Sequence, residues 1–356
     1  MFRQESDGTI IDDSSGKILV FGIDRFIKDI CLGNKCFICG IDPSEAEFND
    51  EHIIPQWILK EHDLYGRKIG LLNDTNFRYD QFTIPCCKQC NSLMGENLEK
   101  PVKNLLHRIN KSDKFILSVD EAMLLFIWFN FIYVKTHLKD KEIKFNLKSP
   151  DDNRRIGDFL NWETLHHVHC IARSIYTEAY LDKKILGSLL YFKAKELSFA
   201  DNFDFIDDYM WFTILFRYNN IAFCVSLDDV GIASHYFPEP IYRITSSDKL
   251  SPLQIREIFA RLTYIVSKIK SPHLFRSGIT DDSPQKYIIS AEIPDTYELE
   301  KNNLEELGKF IYHYCEQYIP QNIQDYDTLI ERLKKGETTL LFDDNDNFIS
   351  DSMEWK

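Results

Sequence analysis

The spacing of hydrophobic positions changes several times along this chain, and each change predicts an element. After a polar start, Ile18-Leu19-Val20-Phe21 is a short apolar run of the kind a strand buries. Residues 31–110 are irregular, with Gly, Asn and Asp scattered between short apolar pieces. A long irregular stretch inside a folded protein is usually functional or pinned by a ligand. The pattern then turns helical. Ser118-Val119-Asp120-Glu121 has the Ser-x-x-Glu form, in which the two side chains satisfy each other's exposed backbone N–H groups, and the apolar run Ala122 to Val134 follows it. Residues 153–180 are compatible with helix. Farther on, Leu189 to Lys195, Trp211 to Arg217 and Ile221 to Leu227 are rich in aromatic and branched residues, and Asn219-Asn220 between the last two predicts a β-hairpin. Ser251-Pro252 predicts a helix start, with proline where its missing N–H does no harm, and the helix should run to about Ile269. Lys286 to Ile293 reads as a strand, Asn303 to Tyr318 and Tyr326 to Lys335 as helices, and Thr338 to Phe342 as a last strand. The class is α+β, with no internal repeat.

Length and composition fit this picture. A chain of 356 residues holds about two domains of ordinary size, and 44% hydrophobic with 28% charged residues is the balance of a folded soluble protein. The run from Ala122 to Val134 is 13 residues long, whereas a membrane span needs about 20. The N-terminus shows no basic start followed by an apolar run, so a cytosolic protein with no membrane association is expected. The net charge of −14 argues against holding nucleic acid through bulk electrostatics. Residues 1–110 are acidic too, with 13 Lys and Arg against 17 Asp and Glu. Any nucleic-acid surface must be local, or be completed by a partner or a second copy.

The cysteines change the picture more. Six of the nine (Cys31, Cys36, Cys39, Cys86, Cys87 and Cys90) fall within sixty residues. The other three, Cys170, Cys224 and Cys315, stand in apolar surroundings and read as core thiols. Clustered cysteines in a reducing compartment point to metal rather than to disulfides. Cys36-Phe37-Ile38-Cys39 and Cys87-Lys88-Gln89-Cys90 are two Cys-x-x-Cys pairs with 47 residues between them. The two-residue spacer lets both sulfurs of a pair turn toward one ion, and four thiolates are what tetrahedral structural Zn²⁺ takes. Cys86 is the alternative to Cys87, at a less usual spacing from Cys90. Gly40 suits the turn after the first pair.

Between the pairs stands Asp50-Glu51-His52-Ile53-Ile54-Pro55, and Asn91 directly follows the second pair. In combination, these motifs resemble the HNH nuclease family in its zinc-bearing, ββα-metal form, over roughly residues 31–108. The resemblance implies an N-terminal lead-in over 1–30, an HNH nuclease domain over 31–110, and a larger α+β domain over 111–356 serving partner binding, sensing or self-association. It implies hydrolysis of DNA phosphodiester bonds, with Cys36, Cys39, Cys87 and Cys90 on structural zinc. Glu51 and Asn91 would hold a catalytic Mg²⁺ or Mn²⁺, and His52 would be the general base. The residue types suit that chemistry: imidazole is largely neutral near pH 7, and oxygen donors favour Mg²⁺ or Mn²⁺.

Two parts of the family pattern are absent. The middle Asn, expected shortly before the second cysteine pair, is replaced by Gln81-Phe82-Thr83-Ile84-Pro85, and Asn73 and Asn76 are displaced from its place. The basic residue expected after the last Asn is replaced by Ser92-Leu93-Met94-Gly95, which leaves Lys88, Lys100, Lys103 and Arg108 as candidate phosphate contacts. Glu96 and Glu99, farther along the same predicted helix, read as a solvated face, the alternative being that one of them assists the metal. By analogy, such fusions serve bacterial restriction or anti-phage defence. The alternatives are a non-catalytic zinc module that binds nucleic acid or protein, and an RNA-cutting enzyme of the same chemistry. His166-His167-Val168-His169-Cys170 looks metal-like, but only His166/His169 and His166/Cys170 have helical spacing, so structural histidines are expected. The aromatic residues of 191–223 read as core.

Overall fold

The computed structural model describes residues 1–70, 76–146, 149, 151–196, 202–270, 274–323 and 325–350. The chain is α+β and divides into two compact units, each assembled from separate stretches. The first is Met1–Leu105, Leu117–Ile185 and Leu274–Glu292; the second is Leu106–Ile116, Leu186–His273 and Ile293–Lys356. Packing therefore groups the chain differently from boundaries at 30/31 and 110/111. The stretch 117–185 belongs with the cysteine-bearing segment.

The first unit opens with an antiparallel sheet of β1 (Phe2–Gln4), β2 (Ile10–Asp12) and β3 (Ile18–Val20). Strand β4 (Phe48–His52) runs antiparallel to a partner farther along the chain. Between them lie helix α1 (Gln56–Glu61) and the small pair β5 (Lys68–Gly70) and β6 (Asn76–Arg78). The partner is β7 (Thr83–Cys87), in a register that sets Glu51 opposite Ile84 and His52 opposite Thr83. Helix α2 (Lys88–Met94) follows β7 at once, and after a wider turn over Gly95–Glu99 the chain continues as α3 (Lys100–Asn110). Two antiparallel strands with a helix directly behind them thus form the frame of the cysteine segment.

Helix α4 (Val119–Asp140) supplies the unit's core. It starts where the sequence predicts: the Ser118 Oγ accepts the Glu121 N–H at 3.2 Å, and the Glu121 carboxylate accepts the Ser118 N–H at 2.8 Å. From Leu125 to Leu138 every residue is buried. A helix buried around its whole circumference needs partners on every side, and α5 (Leu165–Ala172), β7 and the Gly95–Glu99 turn are among them. This is why 117–185 folds with the cysteine segment. Among the described residues, no helix is long and apolar enough to cross a membrane.

The second unit is built on a four-stranded antiparallel sheet in the order Phe203–Asp208, Thr213–Tyr218, Ile221–Ser226, Leu189–Lys193. Its two central strands are wholly buried. The predicted hairpin forms, with Tyr218 paired to Ile221 and Asn219 at φ 52°, a left-handed conformation that asparagine tolerates. Helix Pro252–Ser267 packs on this sheet and, on its other side, on Leu304–Cys315. The strand expected over Thr338 to Phe342 does not form. The buried Glu257 carboxylate accepts the Leu340 N–H and the Thr339 hydroxyl, so a side chain takes bonds that a neighbouring strand would have made. Strand Phe203–Asp208 was not read from sequence because Asp204, Asp207 and Asp208 mask its alternation.

Replacing Ser118 by Ala should remove the cap of α4 and lower stability by about 1 kcal/mol. Urea unfolding followed by circular dichroism measures it, and an unchanged midpoint would show that packing alone sets the helix start.

Candidate functional site

The cysteine pairs come together through two local devices. Gly40 closes the turn after Cys39 at φ +79°, and a Cβ there would lie 2.8 Å from the Phe21 ring. Cys87 ends β7 and caps α2, its sulfur accepting the Cys90 N–H at 3.4 Å. The sulfurs of Cys36, Cys39, Cys87 and Cys90 all lie within 4.8 Å of one another. Four thiolates at about 2.3 Å from one ion form a tetrahedron with edges of roughly 3.8 Å, so the cluster can hold a metal ion such as zinc. Cys86 approaches the Cys36 sulfur at 3.8 Å but is not among the four mutually close sulfurs. Hydrogen bonds from Cys39, Cys86 and Cys90 hold the Cys36 thiol far below its usual range. The reciprocal bonds push Cys39 up to about 12 and Cys90 higher. A dication favours the thiolate form throughout.

The first knuckle is held from outside by its backbone carbonyls. His169 donates from Nε2 to the Phe37 carbonyl at 2.6 Å, and Arg173 donates to the carbonyls of Ile38, Leu19 and Ile18. His166 donates to the Phe21 carbonyl at 2.6 Å. Arg173 is fully buried and lies over the Phe21 ring at 4.4 Å. Burial pushes His169 well below its usual pKa, which keeps it a neutral donor. The histidine-rich stretch is thus structural: its outer members tie α5 to the spacer of a Cys-x-x-Cys pair and to the chain before it, and His167 stacks on Phe275. Sequence reading had no signal for Arg173, because its partners are carbonyls far along the chain.

Beside the cluster lies a cavity of about 630 Å³ whose lining includes Glu51, His52, Gln56, Asn91, Glu99 and Lys103. His52 stands at the end of β4, with Nδ1 3.2 Å from the Gln56 side-chain amide in the first turn of α1. Burial lowers its pKa; Glu51 pulls it up and Lys135 pushes it down. The imidazole is therefore neutral at pH 7. Asn91, on α2, donates from Nδ2 to Asn49 Oδ1 at 2.9 Å, which leaves its carbonyl oxygen available to the cavity.

Glu51 has a partner that the sequence did not announce. Lys135, fully buried on α4, donates at 2.7 Å to Glu51 Oε1 and at 2.7 Å to the His52 carbonyl, and lies 3.5 Å from Glu99. It also sits over the Phe131 ring at 4.2 Å. Burial raises the Glu99 carboxyl to about 7, against the pull of Lys135. Of the two helix glutamates, Glu96 is on the solvated face, paired with Lys100 at 2.7 Å, whereas Glu99 turns inward.

Compared with family models, curated proteins and solved structures, the chain matches none.

Of the four basic residues considered for phosphate, Lys103 alone lines the cavity, 3.2 Å from Glu61 and over the Trp57 ring at 5.3 Å. Lys88 pairs with Glu47 and Lys100 with Glu96, both exposed; Arg108 falls in the part of α3 that belongs to the second unit. Asn73 lies outside the described residues, and of Asn76 only the backbone, in β6, is described.

Cys39→Ser and Cys90→Ser should each lose the bound metal, whereas Cys86→Ser should keep one zinc per chain. Elemental analysis of freshly purified protein decides it, and equal loss from Cys86→Ser would place that sulfur in the set. Lys135→Met should cost about 3 kcal/mol in urea unfolding, because it leaves two partly buried carboxylates without their shared cation. Adding Glu51→Gln and Glu99→Gln should recover most of that loss.

Proposed function

We propose that the chain is a metal-assisted endonuclease of the HNH type that hydrolyses phosphodiester bonds in DNA. The observation that carries this reading is that His52, at a strand end, and Asn91, on the helix behind the second strand, line one cavity beside four clustered thiols. The order β4, β7, α2, with one cysteine pair before the strands and the other opening the helix, is the arrangement a ββα-metal nuclease needs.

Neutral His52 takes a proton from water; the water oxygen attacks phosphorus, the bond to the leaving oxygen breaks, and that oxygen takes a proton from solvent. Gln56, at Nδ1, orients the ring so that Nε2 can face the cavity. As placed, the Gln56 Nε2 amide donates to Nδ1, which puts the ring proton on Nε2; with the amide turned so that its carbonyl faces Nδ1, the proton would sit there and leave Nε2 as the base. The donor set fits a hard cation. Glu51 keeps the oxygen that Lys135 does not take, Asn91 offers its carbonyl oxygen, and Asp50 and Glu99 also line the cavity. When bound, Mg²⁺ or Mn²⁺ supplies charge neutralisation at the phosphate. Lys88 and Lys100 are in exposed ion pairs, which are worth little and can exchange a carboxylate for a phosphate. A site of this kind grips backbone and reads little sequence. Target choice then falls to the second unit or to a partner it recruits, as in a restriction or anti-phage system.

A second reading has its own support. The Lys135 ammonium already engages the carboxylate that a metal would need, which suits a zinc module that binds without cutting.

Supercoiled plasmid incubated with Mg²⁺ or Mn²⁺ separates the two. The wild type should nick it, chelation should stop the reaction, and His52→Ala should lower the rate by about 10²–10⁴-fold with zinc content and melting unchanged. Absence of cleavage of both plasmid and RNA with either metal would favour the binding module, and equal activity of the variant would remove His52 as the base. Preference for structured RNA in the same assay would move the activity to RNA.

A further inference from the structure

The second unit holds a cavity of about 760 Å³ beside the strand Leu189–Lys193, and it does not depend on the nuclease reading. Its size is in the range that takes a small organic ligand, roughly 300–1,000 Å³. Leu190, Phe192, Phe237 and Ile258 give it an apolar wall continuous with the unit's core. Phe115 and Tyr191 add two rings, with centroids 5.2 Å apart.

The charge on this lining is out of keeping with the chain. Lys193 is only 8% exposed, and its ammonium donates to the Ile109 carbonyl at 3.0 Å and to Asn220 Oδ1 at 3.1 Å. Among the described residues no carboxylate makes an ion pair with it; Asp113 and Glu196 act on it only from farther off, against burial and Lys249. Neutral oxygens only partly repay the cost of burying an ammonium. Lys114 and Lys249 line the same cavity, so three lysines face two aspartates, Asp113 and Asp248, in a protein of net charge −14. Apolar and aromatic walls favour a flat ring, and a nearly buried, under-compensated ammonium favours an anion.

We propose that this cavity binds a small organic anion carrying an aromatic ring, with its acid group on Lys193 and Lys249 and its ring against Phe115 and Tyr191. Calorimetric titration of the full chain with 1-naphthalenesulfonate, 1-naphthalenemethanol and inorganic sulfate tests both halves of the claim. The sulfonate should bind once per chain, with the ring alone and the anion alone at least about tenfold weaker, and Lys193→Met should weaken it by about tenfold. Lys249→Gln, at an exposed position, should weaken it several-fold and decides the matter if the Lys193 variant fails to fold. Three results would each overturn the proposal: equal binding of alcohol or sulfate, unchanged affinity in the variants, or no binding up to about 1 mM. None of them bears on plasmid cleavage.

Discussion

The ammonium of Lys135 is the constraint on which the candidate site rests. A charge with no exposed surface is stable only when its partners are fixed, and here those partners are Glu51, the His52 carbonyl and Glu99. One side chain from the unit's long central helix thus helps to fix the end of β4, which is also paired with β7. Around Lys135 itself two carboxylates, Glu51 and Glu99, face one ammonium, a surplus of one negative charge when both are ionised, and the cavity lining adds Asp50 and Glu61 against Lys60 and Lys103. That surplus is compatible with a further cation, while the short bond to Glu51 competes with it. The balance between those two effects is the physical question behind the proposed activity.

The cysteine cluster solves a different problem. The stretch between the two Cys-x-x-Cys pairs is made of short strands and one six-residue helix, with a small set of buried residues such as Ile53, Ile54, Ile58, Leu59 and Phe82. Bringing four sulfurs within reach of one ion ties its two ends together. The fold adds a second support from outside. Arg173 and His169 satisfy the carbonyls of the first pair's spacer, so the knuckle has its backbone polar groups occupied where water does not reach. The four sulfurs, which could hold a metal, on one side and the Arg173 and His169 donors to its carbonyls on the other support the same turn.

Acidic composition narrows how the units can divide their work. A chain of net charge −14 will not hold nucleic acid over a broad surface. The first unit has Lys103 on its cavity and lysines in exposed pairs. The second has three lysines and two aspartates on the lining of a largely apolar cavity.

How much of this was legible beforehand follows from the range of the interactions. The capping box before α4, the Asn-Asn hairpin, the helix opening at Ser251-Pro252 and the two cysteine pairs are local, each decided by residues within a few positions, and each appears as read. Lys135 is 84 residues from Glu51, and Arg173 135 residues from Ile38. No spacing rule reaches that far, so neither could be assigned in advance. Glu96 and Glu99 are indistinguishable in sequence, and only the wider turn over Gly95–Glu99 directs one outward and the other toward Lys135. Thr338 to Phe342 has the composition of a strand, yet it bonds to a buried glutamate because that acceptor is what the packing placed beside it. The sequence by itself determined the local turns, the caps and the chemical types available. The tertiary structure decided which carboxylates are buried, which cation they share and which stretches make one core, since those outcomes depend on burying charge and apolar surface between distant segments.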